Sequence, residues 1–361
     1  MQESRRSIGL GLAAAFLFGA SAPLAKLLLD RTSPQLLAGL LYLGSGAGLG
    51  GMWVRRRGLV EGARETQLAR GDFPWLIGAI GFGGVLGPLL LMIGLTRTPA
   101  SGASLLLNLE GVFTALLAWF VFREHFDRRI ALGMLAIVGG GVVLSWEGRL
   151  SWGGMTGPLA VAGACICWGI DNNLTQKVSA GDPVQITMLK GLTAGTVNTA
   201  IALFLGASWP AAPRVFAALV LGFLGYGVSL VFFVLALRRL GTARTGAYFS
   251  TAPFVGALLS LVVFRERPTT LVIVAAALMG LGVWLHFTER HEHKHRHERL
   301  EHDHAHVHDE HHRHVHAPSD PLVTDPTPHT HWHRHEPMLH SHSHYPDIHH
   351  RHAHEEGAPR R

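Results

Sequence analysis

The chain has 361 residues, of which 48% are hydrophobic and 16% charged, and a formal net charge of +6. Because charged residues are denser at the C-terminal end and 23 of the 25 histidines lie there, residues 8–288 are far more apolar than the average. This distribution excludes an ordinary soluble enzyme and predicts a polytopic membrane protein with a polar tail. The two cysteines, Cys165 and Cys167, exclude a disulfide framework.

The apolar part divides into segments long enough to cross a bilayer, which takes about 20 mostly apolar residues. Arg5 and Arg6 before the first segment imitate a secretory signal, but the run continues past Pro23 to Leu29, so we interpret it as a membrane helix. Ten segments qualify: residues 8–29, 34–54, 73–95, 99–122, 129–147, 153–176, 183–206, 213–237, 243–264 and 268–288.

The orientation follows from the lysines and arginines in alternate loops. With the N-terminus inside, the inner segments before the last span hold fourteen of these residues and the outer loops six, leaving out Lys26 and Lys190 within spans. The bias predicts that both termini are cytoplasmic in a multi-pass protein of the plasma membrane, here the bacterial inner membrane.

The apolar part also repeats itself. The tripeptide Phe122–Glu124 ends the fourth span and Phe264–Glu266 ends the ninth, while Gly81–Phe82 of the third span matches Gly222–Phe223 of the eighth. Five spans is an odd number, so the second copy must insert upside down relative to the first. An inverted repeat with a site near the bilayer midplane is a recurring build of secondary transporters.

The expected architecture is therefore an all-α membrane protein of ten helices in two inverted repeats. The first repeat covers residues 8–147 and the second residues 153–288. Residues 289–361 form a histidine-rich cytoplasmic tail without apolar periodicity, which we expect to be disordered.

These two halves, each with a fourth helix rich in small residues and ending in Phe-Arg-Glu, resemble the EamA family of the drug/metabolite transporter superfamily. The resemblance implies a central cavity between the halves, alternating access without ATP, and peripheral fifth and tenth helices that could form a homodimer. Many relatives carry proline where Gly111 stands, and the second repeat keeps it as Pro253. Glu110 aligns with Ala252, so the repeat pattern does not require a carboxylate there.

Glu110 lies in the middle of the apolar stretch LLLNLEGVFTALLAWFVF. A carboxylate near the bilayer midplane costs about 2.5–3.5 kcal/mol on insertion scales, and such groups usually mark transport or proton-relay sites. The alternative is a structural ion pair between two helices. The candidate transport-cavity residues are Glu110, Asn108, Asp171, Asn172, Asn173 and Lys190.

Two interpretations remain open for the second half. The run Asp171–Asn173 indicates either a helix unwound near Gly169 or a helix near its cytoplasmic end. Lys190 could reach the cytoplasmic interface, which we favour slightly, or pair with Asp171 or Glu110 as a proton-coupling device. Lys26, near the end of the first span, is expected to reach the interface.

The tail is a candidate metal binder, because imidazole is the commonest metal ligand and suits Zn, Ni, Co or Cu. Low-complexity sequence with incidental affinity is the alternative. The candidate ligands are His291, His293, His295, His297, His302, His304, His306 and His308.

The sequence favours a secondary active transporter, or permease, that moves a small solute or metabolite by alternating access. The alternative is a transition-metal exporter, or a metal-regulated transporter whose tail collects or senses cytosolic metal. A membrane-anchored metal buffer ranks last. No hydrolytic triad, HExxH or cysteine redox motif occurs, so we expect no enzyme, no required cofactor and no nucleic-acid partner. The expected partners are membrane lipid, a small-molecule substrate and divalent metal ions.

Overall fold

The computed structural model describes residues 2–57, 68, 70–122, 128–145, 152–178, 182–233, 235–236, 248–287, 292–296, 300–306, 329–335 and 339–343. Up to residue 287 the regular elements of these ranges are helices, and four short strands follow in the tail.

The helices of the first half form in the order that the apolar segments predict. They are α1 (Gln2–Leu28), α2 (Pro34–Arg57), α3 (Phe73–Ala79), α4 (Gly87–Arg97), α5 (Ala100–Leu106), α6 (Leu109–Phe122) and α7 (Arg128–Leu144). A π-helical segment, Ile80–Leu86, joins α3 to α4. Single 3₁₀ turns occupy Leu29–Arg31 and Arg70–Asp72.

The second half has the same kind of elements. They are α8 (Trp152–Val178), α9 (Pro183–Phe204), α10 (Ala212–Gly222), α11 (Ala252–Val263) and α12 (Thr270–Phe287). A second π-helical segment, Phe223–Val228, continues α10. The first π segment contains the dipeptide Gly81–Phe82, and the second begins at Phe223 of the dipeptide Gly222–Phe223, so the sequence repeat has a counterpart in the backbone.

By length and composition, five helical stretches of the described chain could cross a membrane: Ile8–Arg31, Pro34–Arg55, Phe73–Arg97, Ala100–Leu117 and Ala212–Phe233. Three shorter apolar helices, Ala131–Leu144, Ala252–Val263 and Thr270–Leu285, accompany them. α8 and α9 are long, with 27 and 22 residues, but carry the polar residues from Asp171 to Lys190. The protein is thus a multi-pass membrane protein, and the full set of ten spans stays a prediction.

The helices pack through a continuous core that is rich in leucine and alanine. α2 lies between α9 and α10, α7 runs along α12, and α8 contacts α4 and α6. Lipid is as apolar as leucine, so close contact between membrane helices depends on small residues that let backbones approach. Gly44 of α2 packs on the Leu219 backbone of α10, and Gly222 of α10 packs on the Leu41 backbone of α2.

This crossing leads to a stability prediction. Gly44→Ala places a methyl group against the Leu219 backbone and should destabilise the protein by about 1–3 kcal/mol, because backbone cannot move aside like a flexible side chain. The matched control is Gly51→Ala on the same helix, where an added Cβ has no neighbour within 4 Å. Thermal unfolding in detergent should show a lower midpoint for the first variant alone, and equal midpoints would contradict the close crossing.

In the tail, four short segments form two pairs of strands. Glu292–Arg296 pairs antiparallel with Leu339–Ser343, and Leu300–His306 pairs antiparallel with His329–His335. Histidine at every second position has the period of a β-strand, in which successive side chains point to opposite faces. The rest of the tail lies outside the described residues, and its disorder stays a prediction.

Candidate functional site

The polar residues of α8 lie on different sides of an unbroken helix. α8 continues from Trp152 to Val178, so the unwinding considered near Gly169 does not occur. Gly169 instead lets α8 pack closely on α6, since a Cβ at this position would lie 3.0 Å from the backbone nitrogen of Thr114. Successive residues turn by about 100°, so Asp171 and Asn172 face different neighbours.

Asn172 faces α6 and binds Glu110. Its amide nitrogen donates to Glu110 Oε1 at 3.0 Å and to Thr114 Oγ1 at 3.1 Å. Glu110 and Thr114 are four residues apart and therefore share a face of α6. Asn172 is exposed and Glu110 is half-buried. Within the described ranges Glu110 has no cationic partner, so the alternative of a structural ion pair finds no support at this residue.

Asp171 instead faces α9 and forms an ion pair with Lys190. Lys190 Nζ lies 2.6 Å from Asp171 Oδ1 and 2.8 Å from Oδ2, and it donates to Thr175 Oγ1 at 3.2 Å. The two side chains are only 14% and 11% exposed. The slightly favoured interpretation, that Lys190 reaches the interface, is therefore wrong. A nearby carboxylate satisfies the ammonium group within the helix bundle.

Asp171 fits against the first π segment because Gly83 has no side chain. A Cβ at Gly83 would collide with the Asp171 carboxylate. The Gly83 carbonyl accepts hydrogen bonds from Tyr42 Oη at 2.8 Å and from Trp168 Nε1 at 3.0 Å. Side chains of α2 and α8 thus satisfy a carbonyl of the π turn, as buried backbone groups require.

A side chain of α9 binds the next backbone carbonyl of the same π segment, that of Gly84. Fully buried Asn198 donates to the Gly84 carbonyl at 2.9 Å and accepts from Gln35 Nε2 at 2.8 Å. Such fully paired polar networks make a buried arrangement rigid. The π segment is therefore a fixed platform beside the ion pair.

Two of the predicted cavity residues bind backbone instead. Asn108 donates to the Leu105 carbonyl at 2.9 Å, at the break between α5 and α6, and is 6% exposed. Asn173 donates to the Gly169 and Thr114 carbonyls at 2.8 and 3.2 Å. Their hydrogen bonds hold helix backbones together, and the structure does not bring them to the Glu110–Asn172 pair.

Aromatic rings adjoin this polar region. The Phe18 ring centroid is 5.2 Å from that of Phe249 and 6.0 Å from that of Tyr226, and the Tyr42 and Tyr226 centroids are 5.6 Å apart. We call Phe18, Tyr42, Tyr226 and Phe249 the aromatic wall. Each of the four is partly exposed. The wall contains residues of α1, α2, the second π segment and the segment before α11.

Glu266, between α11 and α12, contacts the first turn of α5. Its carboxylate accepts from the Ala100 nitrogen at 2.9 Å, from the Ser101 nitrogen at 3.2 Å and from the Ser101 hydroxyl. These groups form the first turn of α5, whose free N–H groups attract a carboxylate. Arg265 adopts a left-handed φ of 52° beside it. We call these contacts the Glu266 latch.

The Glu266 latch joins a loop of the second half to a helix of the first. Lys26 donates to the Thr98 carbonyl, in the turn between α4 and α5, and lies 5.8 Å from the Phe264 ring centroid, while its position at the membrane interface stays a prediction. Close by, the hydroxyls of Thr98 and Ser104 are buried without a hydrogen-bond partner. Buried hydroxyls without a partner are rare in folded proteins.

The proposed tail ligands lie partly in the described strands. His293 and His295 stand opposite His342 and His340 in the first strand pair. In the second pair, His302, His304 and His306 stand opposite His333, His331 and His329. His291, His297 and His308 lie outside the described residues. No cluster of three or more His, Cys, Asp or Glu side chains able to hold a metal occurs in the part that the structure describes.

Some residues that contact the candidate site were not predicted from the sequence. Thr114 and Thr175 follow Glu110 and Asp171 by four residues, so the helical period could have identified them. Tyr42 and Gly83 carried no comparable signal, because their roles depend on which helices pack together.

Among the described residues the helical bundle holds a buried ion pair and a carboxylate without a cationic partner, an arrangement that favours a membrane transport protein. The sequence pattern of the EamA-like transporter family matches the chain over residues 5–146 and again over residues 155–288. The chain belongs to this family, within the drug/metabolite transporter superfamily.

Similar proteins are transporters by name. An uncharacterized transporter of Methanothermobacter thermautotrophicus is 29% identical over 289 residues, covering 76% of this chain and 84% of its own. The uncharacterized transporter YyaM of Bacillus subtilis is 24% identical, covering 62% and 75%. Over 110 residues the chain is 38% identical to a probable 4-amino-4-deoxy-L-arabinose-phosphoundecaprenol flippase subunit, ArnE, of Pseudomonas aeruginosa, covering 30% of this chain and 92% of that one.

The fold also has a counterpart among solved structures. One crystal structure matches 78% of this chain and 95% of its own with a TM-score of 0.58 and 20% sequence identity. At this identity the likeness shows the fold alone.

Proposed function

We propose that the protein is a secondary active transporter that moves a small solute or metabolite across the membrane by alternating access. The observation that carries this proposal is the Glu110–Asn172 pair between α6 and α8, in which Asn172 is exposed and Glu110 is half-buried. A charged group in a membrane helix persists mainly where it faces a wet cavity, a partner or the bundle interior. An accessible carboxylate with one amide partner fits a wet cavity.

The Glu266 latch supports alternating access. It joins the two halves at one end of the bundle, beside two buried hydroxyls that have no partner. If both termini are cytoplasmic, as the loop charges predict, this end faces away from the cytoplasm of a bacterial inner membrane. The conformation is then closed to the outside, and release of the latch would open it there.

The vesicle experiment that tests this function does not require a known cargo. Vesicles with the purified protein are loaded with a mixture of amines, amino acids, sugars and organic acids, and solute loss is followed by mass spectrometry. We expect at least one solute to leave faster than from protein-free vesicles, and Glu110→Gln to slow it at least about tenfold. Asp30→Asn, at an exposed carboxylate, is the matched control. If no solute leaves faster, or Glu110→Gln has the parent rate, the proposal fails.

A second role in metal sensing is favoured by the strand register of the tail. Histidines opposed across antiparallel strands lie about 4.5–5.5 Å apart at Cα, a spacing from which two imidazoles can bind one ion. We therefore propose that the tail binds Ni²⁺, Co²⁺, Zn²⁺ or Cu²⁺ and reports cytosolic metal to the transporter.

Titration of the full-length protein with Ni²⁺ tests this second role. Replacing His302, His304 and His306 with alanine should remove high-affinity sites. Replacing Asp320, Asp325 and Asp347 of the same tail should remove fewer. Equal loss in both variants would contradict ligation by the paired histidines.

A further inference from the structure

The hydrogen bonds around Glu110 leave acceptors unused. The Asn172 amide nitrogen donates to Glu110 and Thr114, so both of its hydrogens are engaged, while its carbonyl oxygen accepts no hydrogen bond from the residues that the structure describes. Glu110 Oε2 likewise has none within the ranges that the structure covers. A ligand at this point therefore meets two free acceptor oxygens, with the Thr114 hydroxyl beside them.

The two carboxylates of this region also differ in whether a neighbouring cation neutralises them. The Asp171 carboxylate is neutralised by Lys190 at 2.6 Å, whereas Glu110 has no cation in ion-pair contact among the described residues. A ligand with a positive group would neutralise Glu110, and one with a negative group would be repelled by it. In an apolar surrounding this difference is large, because such charges are weakly screened.

The aromatic wall adds an independent preference. Tyr42 of the wall donates to the Gly83 carbonyl at 2.8 Å, beside the Asp171 carboxylate that packs on Gly83, and its ring centroid lies 5.6 Å from that of Tyr226. Aromatic faces attract organic cations and also accommodate apolar groups. The carboxylate and the wall together favour a molecule with one positive and one apolar end.

From these observations we infer that the Glu110 site binds the ammonium group of an organic amine, whose apolar body lies against the aromatic wall. An ammonium group has three donors, which match Glu110 Oε2, the Asn172 carbonyl oxygen and the Thr114 hydroxyl oxygen. A divalent metal fits less well. Hard cations need about six oxygen ligands, borderline metals need imidazole or thiolate, and the described part of the chain gathers no such cluster.

This inference rests on the proposed transport function and names the chemical class of its cargo. Its test uses three probes that share a ring: benzylamine, benzyl alcohol and benzoate. Each is titrated into the full-length protein in nanodiscs at neutral pH, with EDTA to keep the tail free of metal. We expect benzylamine to bind, benzyl alcohol to bind at least about tenfold more weakly, and benzoate to bind least.

The variants locate the binding site. Glu110→Gln should weaken benzylamine at least about tenfold and leave benzyl alcohol unchanged, whereas Glu110→Asp should retain part of the preference. Asp30→Asn, at an exposed carboxylate, should bind all three probes as the parent does. Benzoate or benzyl alcohol binding as tightly as benzylamine, no benzylamine binding, or an unchanged Glu110→Gln would each overturn the inference. Vesicle efflux of an anionic solute would do so as well while leaving the transport function in place.

Discussion

Replacing Lys190 with methionine should destabilise the protein by about 3–5 kcal/mol, because it leaves the Asp171 carboxylate buried without its partner. The two groups are 2.6 Å apart and their side chains are 14% and 11% exposed, so water cannot replace the lost ammonium. Asp171→Asn should also destabilise, through the unpaired Lys190. The measurement is thermal unfolding in a fixed detergent.

The double variant separates the ion pair from simple packing. Removing both charges together should recover at least half of the loss, since a buried pair often contributes little beyond compensating its own desolvation. Arg31→Met, at an exposed cation, should unfold like the parent. If the double variant is as unstable as the sum of the single ones, the two groups do not act as a pair.

The second large effect is expected at the Glu266 latch. Glu266→Gln removes the charge of the side chain that caps α5, and this contact contributes about 1–2 kcal/mol. The equilibrium between the closed state and a state open at that end should therefore shift about tenfold toward the open state. Ser104→Cys is the reporter, because Ser104 is 1% exposed and lies close to Gly256 across the junction of the halves.

The reporter is placed in a background in which Cys165 and Cys167 are alanine. The rate of maleimide labelling should rise about tenfold with Glu266→Gln and stay unchanged with Arg267→Gln, which alters the exposed neighbouring residue. Equal labelling with and without the Glu266 carboxylate would mean that the latch caps a helix and does not control access.

The sequence identified the charged residues of the site but not their pairing. Glu110, Asp171 and Lys190 are found from the rule that charge is rare in membrane helices. Whether Lys190 binds Asp171, binds Glu110 or reaches the interface depends on the rotation of α8 and α9 about their axes. Packing at Gly83 fixes that rotation, and no periodicity in the sequence indicates it.

The sequence predicted the positions of the irregular helical turns less well than it predicted the charged residues of the site. Gly169 suggested unwinding, yet its role is to let α8 approach α6, and the irregular turns occur at Ile80–Leu86, Phe223–Val228 and the Leu107–Asn108 break. Glycine permits both a break and a close approach, so its presence alone cannot distinguish them. The motif Phe264–Glu266 was seen only as a mark of the repeat, because its contact with α5 joins residues 165 apart in the chain.

The proposed transport route requires Glu110 and Asn172 to face water between the helices. The most direct test labels Thr114→Cys, four residues from Glu110, in the background without Cys165 and Cys167, with a membrane-impermeant thiol reagent added to each side of sealed vesicles. Ala164→Cys, at a fully buried position of α8, is the dry control. We expect Thr114→Cys to react from the side opposite the Glu266 latch while Ala164→Cys stays unmodified. Protection of Thr114→Cys from both sides would contradict a wet route through the protein.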